Sequence, residues 1–246
     1  MSLALEIVLN YKSFTCAGSA IKALISGHSS FQNLEVGVYS ESLLMPINEA
    51  ISLIERQSSP STYLCNKNGN INYGDILTCQ FSRIDVIGLI ADEAEAELWL
   101  QGLLYDDRFI QARLFETEYD FWQNAQDPEL YQCAGRSIEG LPIKPNGLPT
   151  PHGRLLIDIS QNPGRWSLKR GYIESIGSPM WLSRQFFEMT NANPDMLIIF
   201  DWLDVTNINK RVIKLRNKNG LFISDRGDQA LQQNTLRRIL FGAQEP

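Results

Sequence analysis

The most distinctive stretch of this sequence is residues 157–190, IDISQNPGRWSLKRGYIESIGSPMWLSRQFFEMT, where glycine, proline, tryptophan and charged residues lie close together. Asn162-Pro163-Gly164 is a turn former that predicts a reversal of the chain. Trp181, together with Phe186 or Phe187, predicts a bulky core that needs glycines nearby for close approach. No residue of the stretch is a natural general base at neutral pH, except a carboxylate with a perturbed pKa. We therefore interpret the stretch as a nucleus of the fold and not as an active site.

The second half of the chain is predicted to contain short elements around this stretch. Two strands, a short helix, a hairpin and a final amphipathic helix are predicted at residues 154–160, 171–176, 179–190, 211–223 and 228–241. The turn of the hairpin is placed at residues 217–220, because NKNG is a tight-turn signal.

The first half alternates strands and helices. Strands are predicted at residues 3–11, 34–39 and 109–119, helices at 17–26, 46–57 and 92–104, and a hairpin turn at 66–70 ahead of a strand that starts at 71. Asp92 is placed as the cap of the third helix. These patterns are typical of an α+β fold, with mainly antiparallel sheet and flanking helices.

A proline-rich segment separates the two halves. Its five prolines, which interrupt regular structure, are Pro128, Pro142, Pro145, Pro149 and Pro151. The segment, residues 126–153, is predicted to be a linker or a wrapping loop between an acidic α+β lobe at 1–125 and a second α+β lobe at 154–246. A chain of 246 residues is also short enough to form one large domain, so both organisations stay open.

Charge is distributed unevenly along the chain, whose net charge is −6. Residues 1–125 hold 16 acids and 7 bases, a net charge of −9, and residues 126–246 hold 12 acids and 15 bases, a net charge of +3. The acidic half repels nucleic acid, and the basic half lacks the dense stripe of Lys and Arg that duplex binding requires. We expect no nucleic acid partner, and an acidic surface that attracts a basic protein.

The sequence gives no membrane or export signal. No run of eighteen apolar residues is present, and the first residues, MSLALEIVLNYK, lack a basic start and are interrupted by Glu6. We expect the protein to lie in the cytoplasm. The cysteines are widely spaced and are interpreted as buried small hydrophobic residues: Cys16, Cys65, Cys79 and Cys133.

The residues that most catalytic schemes need are scarce. The two histidines, His28 and His152, lie in stretches that are typical of exposed loops. No His, Cys or carboxylate cluster has metal-ligand spacing, and no glycine-rich phosphate motif is present, so no metal and no cofactor are expected.

Carboxylates offer a second catalytic scheme. Glu116, Glu118 and Asp120 lie two apart at the end of the strand predicted at residues 109–119, so they would share one strand face and could converge with Asp106 or Asp107. Alternating acids on a strand usually mark a face in contact with water, and paired carboxylates are catalytic only where burial separates their pKa values. The wet face is the favoured interpretation, and no catalytic residue is assigned.

The acidic run DEAEAE at residues 92–97 has two compatible interpretations. It is a helix start, stabilised by acids at the positive end of the helix dipole. It is also a docking surface for a basic partner, whose candidate residues are Asp92, Glu93, Glu95 and Glu97.

Several motifs of the second half resemble those of uncharacterised bacterial proteins associated with toxin gene neighbourhoods and immunity roles. They are DPELY at residues 127–131, GLPIKPNGLPTP at 140–151, DISQNPGR at 158–165 and RGYIESIGSPMWLSRQFFEMT at 170–190. The chain departs from the group's MWLGxxFW pattern, because Ser183 replaces the glycine and Phe187 the second tryptophan. The resemblance implies a cytoplasmic protein that binds and neutralises a specific toxin, with no catalytic residues.

The favoured hypothesis is therefore a non-enzymatic immunity protein whose partner is a cognate toxin that acts in the cytoplasm. An association with type VI secretion belongs to the same interpretation. Two alternatives stay open: a hydrolase or transferase that uses carboxylates, and an adaptor subunit of a secretion or phage assembly.

Overall fold

The fold is that of a computed structural model, which describes residues 2–27, 31, 33–39 and 42–242. Within these residues the chain forms one ten-stranded sheet and two sheets of two strands each. All strand pairings among them are antiparallel. The predicted α+β class with mainly antiparallel sheet is confirmed.

The helices and strands have the following bounds. The helices are α1 (Ala17–Ile25), α2 (Ile47–Gln57), α3 (Glu93–Leu100), α4 (Thr117–Asn124), α5 (Pro128–Cys133), α6 (Arg184–Thr190) and α7 (Gly227–Phe241). The large sheet has the spatial order β13 (Leu203–Asn207), β14 (Val212–Asn217), β12 (Met180–Ser183), β7 (Phe109–Glu116), β1 (Leu3–Asn10), β6 (Phe81–Ile87), β5 (Gly69–Ile76), β4 (Thr62–Asn66), β2 (Glu35–Val38) and β3 (Met45–Pro46). The small sheets pair β8 (Ile143–Pro145) with β9 (Leu155–Ile157), and β10 (Ser167–Lys169) with β11 (Tyr172–Glu174).

The two faces of the large sheet belong to two different cores, because successive side chains of a strand point to opposite faces. Leu5 and Ile7 of β1 join the first core, which α1, α2 and α3 cover. Val8 of β1 joins the second core, together with Phe186 of α6 and Leu236 of α7. Helices on both sides therefore bury the central strands.

The large sheet contains strands from both predicted lobes. β12 pairs with β7 in a register that places Trp181 opposite Ala112. Trp181 and Val212 of the second half lie in the first core, beside residues of the first half. The division of the chain into two lobes, residues 1–125 and 154–246, stays a prediction.

The strand predicted at residues 109–119 ends earlier than expected. β7 stops at Glu116, whose side chain accepts a hydrogen bond from the Tyr119 backbone N–H at 2.6 Å and caps α4. Glu118 and Asp120 lie in the first turn of that helix, where acids complement the helix dipole. The expectation that Glu116, Glu118 and Asp120 share one strand face is wrong.

The helix predicted at residues 179–190 is a strand followed by a helix. Trp181 lies on β12, an interior strand that pairs with β14 and β7, and α6 begins only after Ser183. The Ser183 hydroxyl accepts a hydrogen bond from the Phe186 backbone N–H, so it is the cap that marks the boundary. The expected burial of Trp181 and Phe186 is confirmed, whereas Phe187 is only partly buried.

One of the two predicted hairpins differs from its prediction. β14 pairs with β13, which precedes it, and the turn at residues 217–220 leads out of the sheet instead of into a second strand. In the first half the predicted turn at residues 66–70 does join β4 to β5. A second hairpin joins β5, which ends at Ile76, to β6, which begins at Phe81. The prediction missed this hairpin.

The proline-rich segment carries short elements, namely α5 and β8. Tyr131 of α5 packs with Ile157 and Ile159 in a third core, against which Trp122 and Leu141 also lie. The segment therefore wraps over α4 and β9. Among the strands predicted nearby, β9 pairs with β8 and β11 with β10, so the turn at Asn162-Pro163-Gly164 does not join a strand pair.

Two of the four cysteines are buried as expected, Cys16 and Cys65. Cys79 is half-buried and Cys133 is exposed at the end of α5, so the interpretation as a buried residue is wrong for Cys133. None of the helices in the described part of the chain has the length and apolar character that crossing a membrane requires.

Candidate partner-binding groove

A cluster of charged side chains lies within the sheet, on the face opposite to α1, α2 and α3. Glu6 of β1 stands opposite Arg113 of β7 in the strand register, and both side chains are 2% exposed. Arg113 Nε donates to Glu6 Oε1 at 2.8 Å, and Arg83 Nη2 lies 2.9 Å from Glu6 Oε2. One buried carboxylate thus binds two guanidinium groups.

Two further carboxylates complete what we call the ion-pair cluster, which consists of Glu6, Arg83, Asp85, Arg113 and Asp120. Arg83 Nε donates to Asp85 Oδ1 at 2.9 Å. Arg113 Nη1 donates to Asp120 Oδ1 at 2.7 Å. Because Asp85 lies opposite Glu6 in the register and Asp120 is on α4, the cluster connects three strands to that helix.

The cluster holds three carboxylates and two guanidinium groups, so one negative charge is in excess. Burial alone would raise the pKa of Glu6, but Arg113 and Arg83 outweigh it and hold that pKa below its ordinary value. Burial raises the pKa of Asp85 to about 6. Burial also raises the pKa of Asp120 above its ordinary value. The ionised form is therefore favoured at Glu6 and disfavoured at Asp85 and Asp120.

An open cavity of about 610 Å³, here called the groove, adjoins the ion-pair cluster. Its walls are mainly apolar and include Ile87, Phe115, Phe121, Leu130, Leu156 and Trp166. Arg83 and Asp120 of the cluster also line it. Asp127 and Arg154 add one charge of each sign, with Asp127 Oδ2 and Arg154 Nη1 3.6 Å apart.

The turn at Asn162-Pro163-Gly164 fixes α4, which forms one wall of the groove. Gln123 Oε1 accepts the Gly164 backbone N–H at 3.0 Å, and Asn124 Oδ1 accepts the Trp166 backbone N–H at 2.8 Å. A Cβ atom at Gly164 would lie 2.7 Å from Gln123 Cγ, so only glycine allows this approach. The distinctive stretch of the sequence thus has a structural role, which includes support of the groove.

The four acids predicted to bind a partner lie elsewhere, at the start of α3. The Asp92 side chain caps the helix by accepting the Glu95 backbone N–H at 2.9 Å. Glu95 Oε2 accepts the Ala91 backbone N–H at 2.7 Å. The cap predicted at Asp92 is confirmed, and both side chains also stabilise the helix start.

Glu93 and Glu97 make ion pairs with the sheet. Lys214 Nζ of β14 donates to Glu93 Oε1 and to Glu97 Oε1, each at 2.5 Å, and Arg216 Nε donates to Glu93 Oε2 at 2.9 Å. Burial alone would lower the pKa of Lys214, but the two carboxylates outweigh it and raise that pKa. The partner role of these four acids stays a prediction.

The structure separates the carboxylates that the sequence proposed as a catalytic group. Glu116 and Glu118 line a polar cavity of about 460 Å³ together with Asp225, whereas Asp120 is bound to Arg113 in the ion-pair cluster. The two other candidates make ion pairs of their own, Asp106 with Arg108 and Asp107 with Arg211.

Of the two histidines, only His152 lies within the described residues, and it lines neither the groove nor the polar cavity. His152 is exposed, as expected, and His28 lies outside the described residues. Within residues 2–27, 31, 33–39 and 42–242, no group of three or more His, Cys, Asp or Glu side chains is arranged to hold a metal ion.

Sequence reasoning missed the ion-pair cluster, although one signal for it was present. Glu6 interrupts an apolar run, and its neighbours in space, Arg83 and Asp85, alternate with apolar residues along β6. Charges with a period of two in an otherwise apolar strand indicate a polar or paired face.

Comparison with known proteins gives the fold but no family. No family model matches the chain, and no curated protein matches it. Among solved structures, "Pseudomonas aeruginosa T6SS protein PA0821" is similar over 97% of this chain and 73% of that chain, with a TM-score of 0.52 and 9% sequence identity. The protein is thus an α+β protein with a groove beside buried ion pairs. Its fold is similar to that of this T6SS protein.

Proposed function

We propose that the protein is a cytoplasmic immunity protein that binds and neutralises a cognate bacterial toxin by protein–protein interaction. The observation that carries this proposal is the groove, a preformed and largely apolar cavity beside carboxylates that are already bound to arginine. Apolar concave surfaces contribute binding through burial and shape. Acid–base catalysis instead requires a group that exchanges its proton with a substrate.

The fold likeness supports an association with secretion. A neighbour whose title names it a T6SS protein fits a toxin delivered by such a system, and it fits the resemblance of the second half to immunity-like proteins. At 9% identity the likeness concerns the fold, so the neutralising role itself rests on the groove and on the sequence motifs.

The partner in this proposal is a basic protein. Residues 1–125 carry 16 acids against 7 bases, and Asp92, Glu93, Glu95 and Glu97 lie together at the start of α3. Long-range attraction between opposite charges acts mainly on the rate of association. The acidic run would thus speed the encounter with a basic toxin.

The direct test is neutralisation in cells. Each gene adjacent to that of this protein is expressed so that its product stays in the cytoplasm, once with and once without this protein. We expect one of them to be lethal alone and harmless in its presence, and the two purified proteins to form a stable complex. If no adjacent product is toxic, or if the toxic one is neither bound nor neutralised, the proposal is wrong.

One observation favours a different function, the carboxylate-dependent hydrolase or transferase. Asp85, with its pKa raised to about 6, lies opposite Glu6, whose pKa is lowered, and separated pKa values are typical of acid–base pairs. Stoichiometry distinguishes the two functions. A binding protein neutralises the toxin only at equimolar amounts, whereas an enzyme acts at substoichiometric amounts and loses its effect with Asp85→Asn.

The third function is an adaptor subunit of a secretion or phage assembly. The T6SS neighbour is compatible with it as well. Co-purification with structural components of such an assembly, in cells where no adjacent gene is toxic, would favour the adaptor.

A further inference from the structure

We propose that the groove binds an apolar segment of the toxin that carries an arginine or lysine, and that this cation pairs with the excess carboxylate of the ion-pair cluster. The proposal rests on the proposed function and identifies the surface and the chemistry that recognise the partner. It assigns the groove, and not only α3, to the interface.

Charge complementarity selects a cation. Two guanidinium groups face three carboxylates in the ion-pair cluster, and both Asp120 and Arg83 line the groove. Arg83 is bound by two carboxylates, Glu6 and Asp85, whereas Asp120 shares the single guanidinium of Arg113 with Glu6. Asp127 and Arg154 at the same cavity offset one another. A cationic side chain in the groove would therefore balance the cluster, whereas an anionic one would meet a second negative charge in a partly buried place.

The perturbed carboxylates support this choice. The raised pKa values of Asp85 and Asp120 arise because burial is not fully compensated by Arg83 and Arg113. A partner's cation beside Asp120 would supply the missing compensation, and it would favour the ionised form of that carboxylate.

Apolar walls provide the remaining contact surface. Phe121 and Leu130 are 47% and 42% exposed and line the groove from α4 and α5. Trp166 and Leu156 lie at the same cavity. Exposed aromatic and aliphatic side chains gathered in one concavity are typical of surfaces that anchor a partner.

The groove and α3 would have different parts in binding. The acids of α3 lie at the surface, where charges mainly affect association. The groove would bury side chains of the toxin, and such contacts mainly lower the rate of dissociation. A toxin with a basic surface and one apolar, cationic segment would use both.

The first experiment needs no toxin. Three capped peptides, Leu-Arg-Leu, Leu-Gln-Leu and Leu-Glu-Leu, are titrated into the full-length, isotope-labelled protein and followed by NMR. We expect the arginine peptide to bind weakly, to shift the amides of Phe121 and Asn124 and the indole N–H of Trp166, and to bind several-fold tighter than the other two. Asp120→Asn should remove this preference. Equal binding of the three peptides, no binding, or shifts confined to other surfaces would overturn the inference.

The second experiment uses the toxin, once it has been found. Phe121→Ala and Leu130→Ala should each raise the Kd of the complex by about tenfold or more, as expected for anchor residues. Leu155→Ala is the matched control, because Leu155 is 61% exposed and lies next to Leu156 without lining the groove. A toxin that is neutralised but bound equally by all three variants would contradict the groove and leave the immunity function intact. If no toxin exists, the immunity function fails, and the peptide titration still decides what the groove binds.

Discussion

Within the ion-pair cluster, the single residues Glu6 and Asp85 have opposite effects on the stability of the fold when they are ionised. Glu6 binds both Arg113 and Arg83, and its ionised form is favoured. Asp85 is buried and lies near the carboxylate of Glu6. Burial and repulsion by Glu6 outweigh the attraction of Arg83, so the ionised form of Asp85 is disfavoured. The same residue chemistry thus stabilises the fold at one position and opposes it at the other.

We predict that Asp85→Asn stabilises the protein at neutral and alkaline pH. The pKa of Asp85 rises from 3.8 to about 6 in the folded state, so the ionised carboxylate destabilises the fold above pH 6, and this cost disappears as pH falls toward 4. Asp85→Asn should add about 1 to 3 kcal/mol to the free energy of unfolding at pH 8, and the difference from the wild type should vanish near pH 4. Urea unfolding at pH 8, 6 and 4 measures both effects.

Glu6→Gln is the matched control for that experiment. Because the pKa of Glu6 is lowered by folding, its ionised form contributes stability that is present at pH 8 and is lost as pH falls through that lowered value. The variant should therefore be less stable than the wild type at pH 8. A stabilising Glu6→Gln, or a destabilising Asp85→Asn, would contradict the opposite pKa shifts of the two carboxylates.

Trp181 provides a second test at the residue scale. The side chain is fully buried on the interior strand β12, so Trp181→Ala should lower the free energy of unfolding by about 3 to 5 kcal/mol. Leu231→Ala, at a position that is 68% exposed on α7, should change it little. Denaturant unfolding compares the two. A Trp181→Ala variant that keeps its stability and loses toxin binding would instead assign the residue to an interface.

Burial of single residues could be predicted from the sequence, but their charged partners could not. The apolar and aromatic pattern around Trp181 was enough to indicate a core. The bond between Arg113 and Glu6 joins residues that are 107 positions apart, and the turn at Gly164 contacts Gln123 across 41 positions. Such contacts follow from the strand order, which local pattern does not contain.

At the scale of elements, α3 combines a local cap with a distant anchor. Asp92 and Glu95 act within the helix start, whereas Glu93 and Glu97 bind Lys214, which is 13% exposed. The four acids therefore divide into two pairs with different structural roles. Replacing all four together would mix a loss of surface charge with a loss of anchoring.

We predict that the local pair affects association with the toxin and the anchoring pair affects stability. Asp92→Asn with Glu95→Gln keeps a capping side chain and should slow association several-fold, with a weaker salt dependence and an intact fold. Glu93→Gln with Glu97→Gln leaves Lys214 without its carboxylates and should cost about 1 kcal/mol of stability. Binding kinetics at two salt concentrations and urea unfolding separate these effects. An unchanged association rate in the first variant would limit the acidic run to its role as a helix start.

Elements with local signals were predicted well, and elements defined by pairing were not. α1, α2, α3 and α7 follow from signals within the helix itself, although among these four only α3 has a side-chain cap, at Asp92. The boundary between β12 and α6 was missed, because a strand buried on both faces and a short helix share the same apolar composition. β6 was missed because the turn between Ile76 and Phe81 has none of the usual glycine or proline.

At the scale of the whole molecule, the large sheet argues for one cooperative unit. β7 of the first half pairs with β12 of the second, and the first core includes Trp181 and Val212 beside Leu5 and Ile7. A fragment of residues 1–125 would leave the backbone of β7 without its partner strand and that core without Trp181. Unpaired strand edges and opened cores both favour unfolding or aggregation.

We therefore predict that the full chain unfolds in a single transition. Tryptophan fluorescence, far-ultraviolet circular dichroism and calorimetry should give coincident midpoints, because neither half buries its share of the sheet and core without the other. The fragment 1–125 alone should show no cooperative transition. Two resolved transitions, or a fragment that unfolds cooperatively with its ion-pair cluster intact, would instead establish two lobes that fold independently. In that case the groove, whose walls come from β6 and β7 on one side and from β9 and Trp166 on the other, would lie where the two lobes meet, and movement of one lobe against the other would change its width.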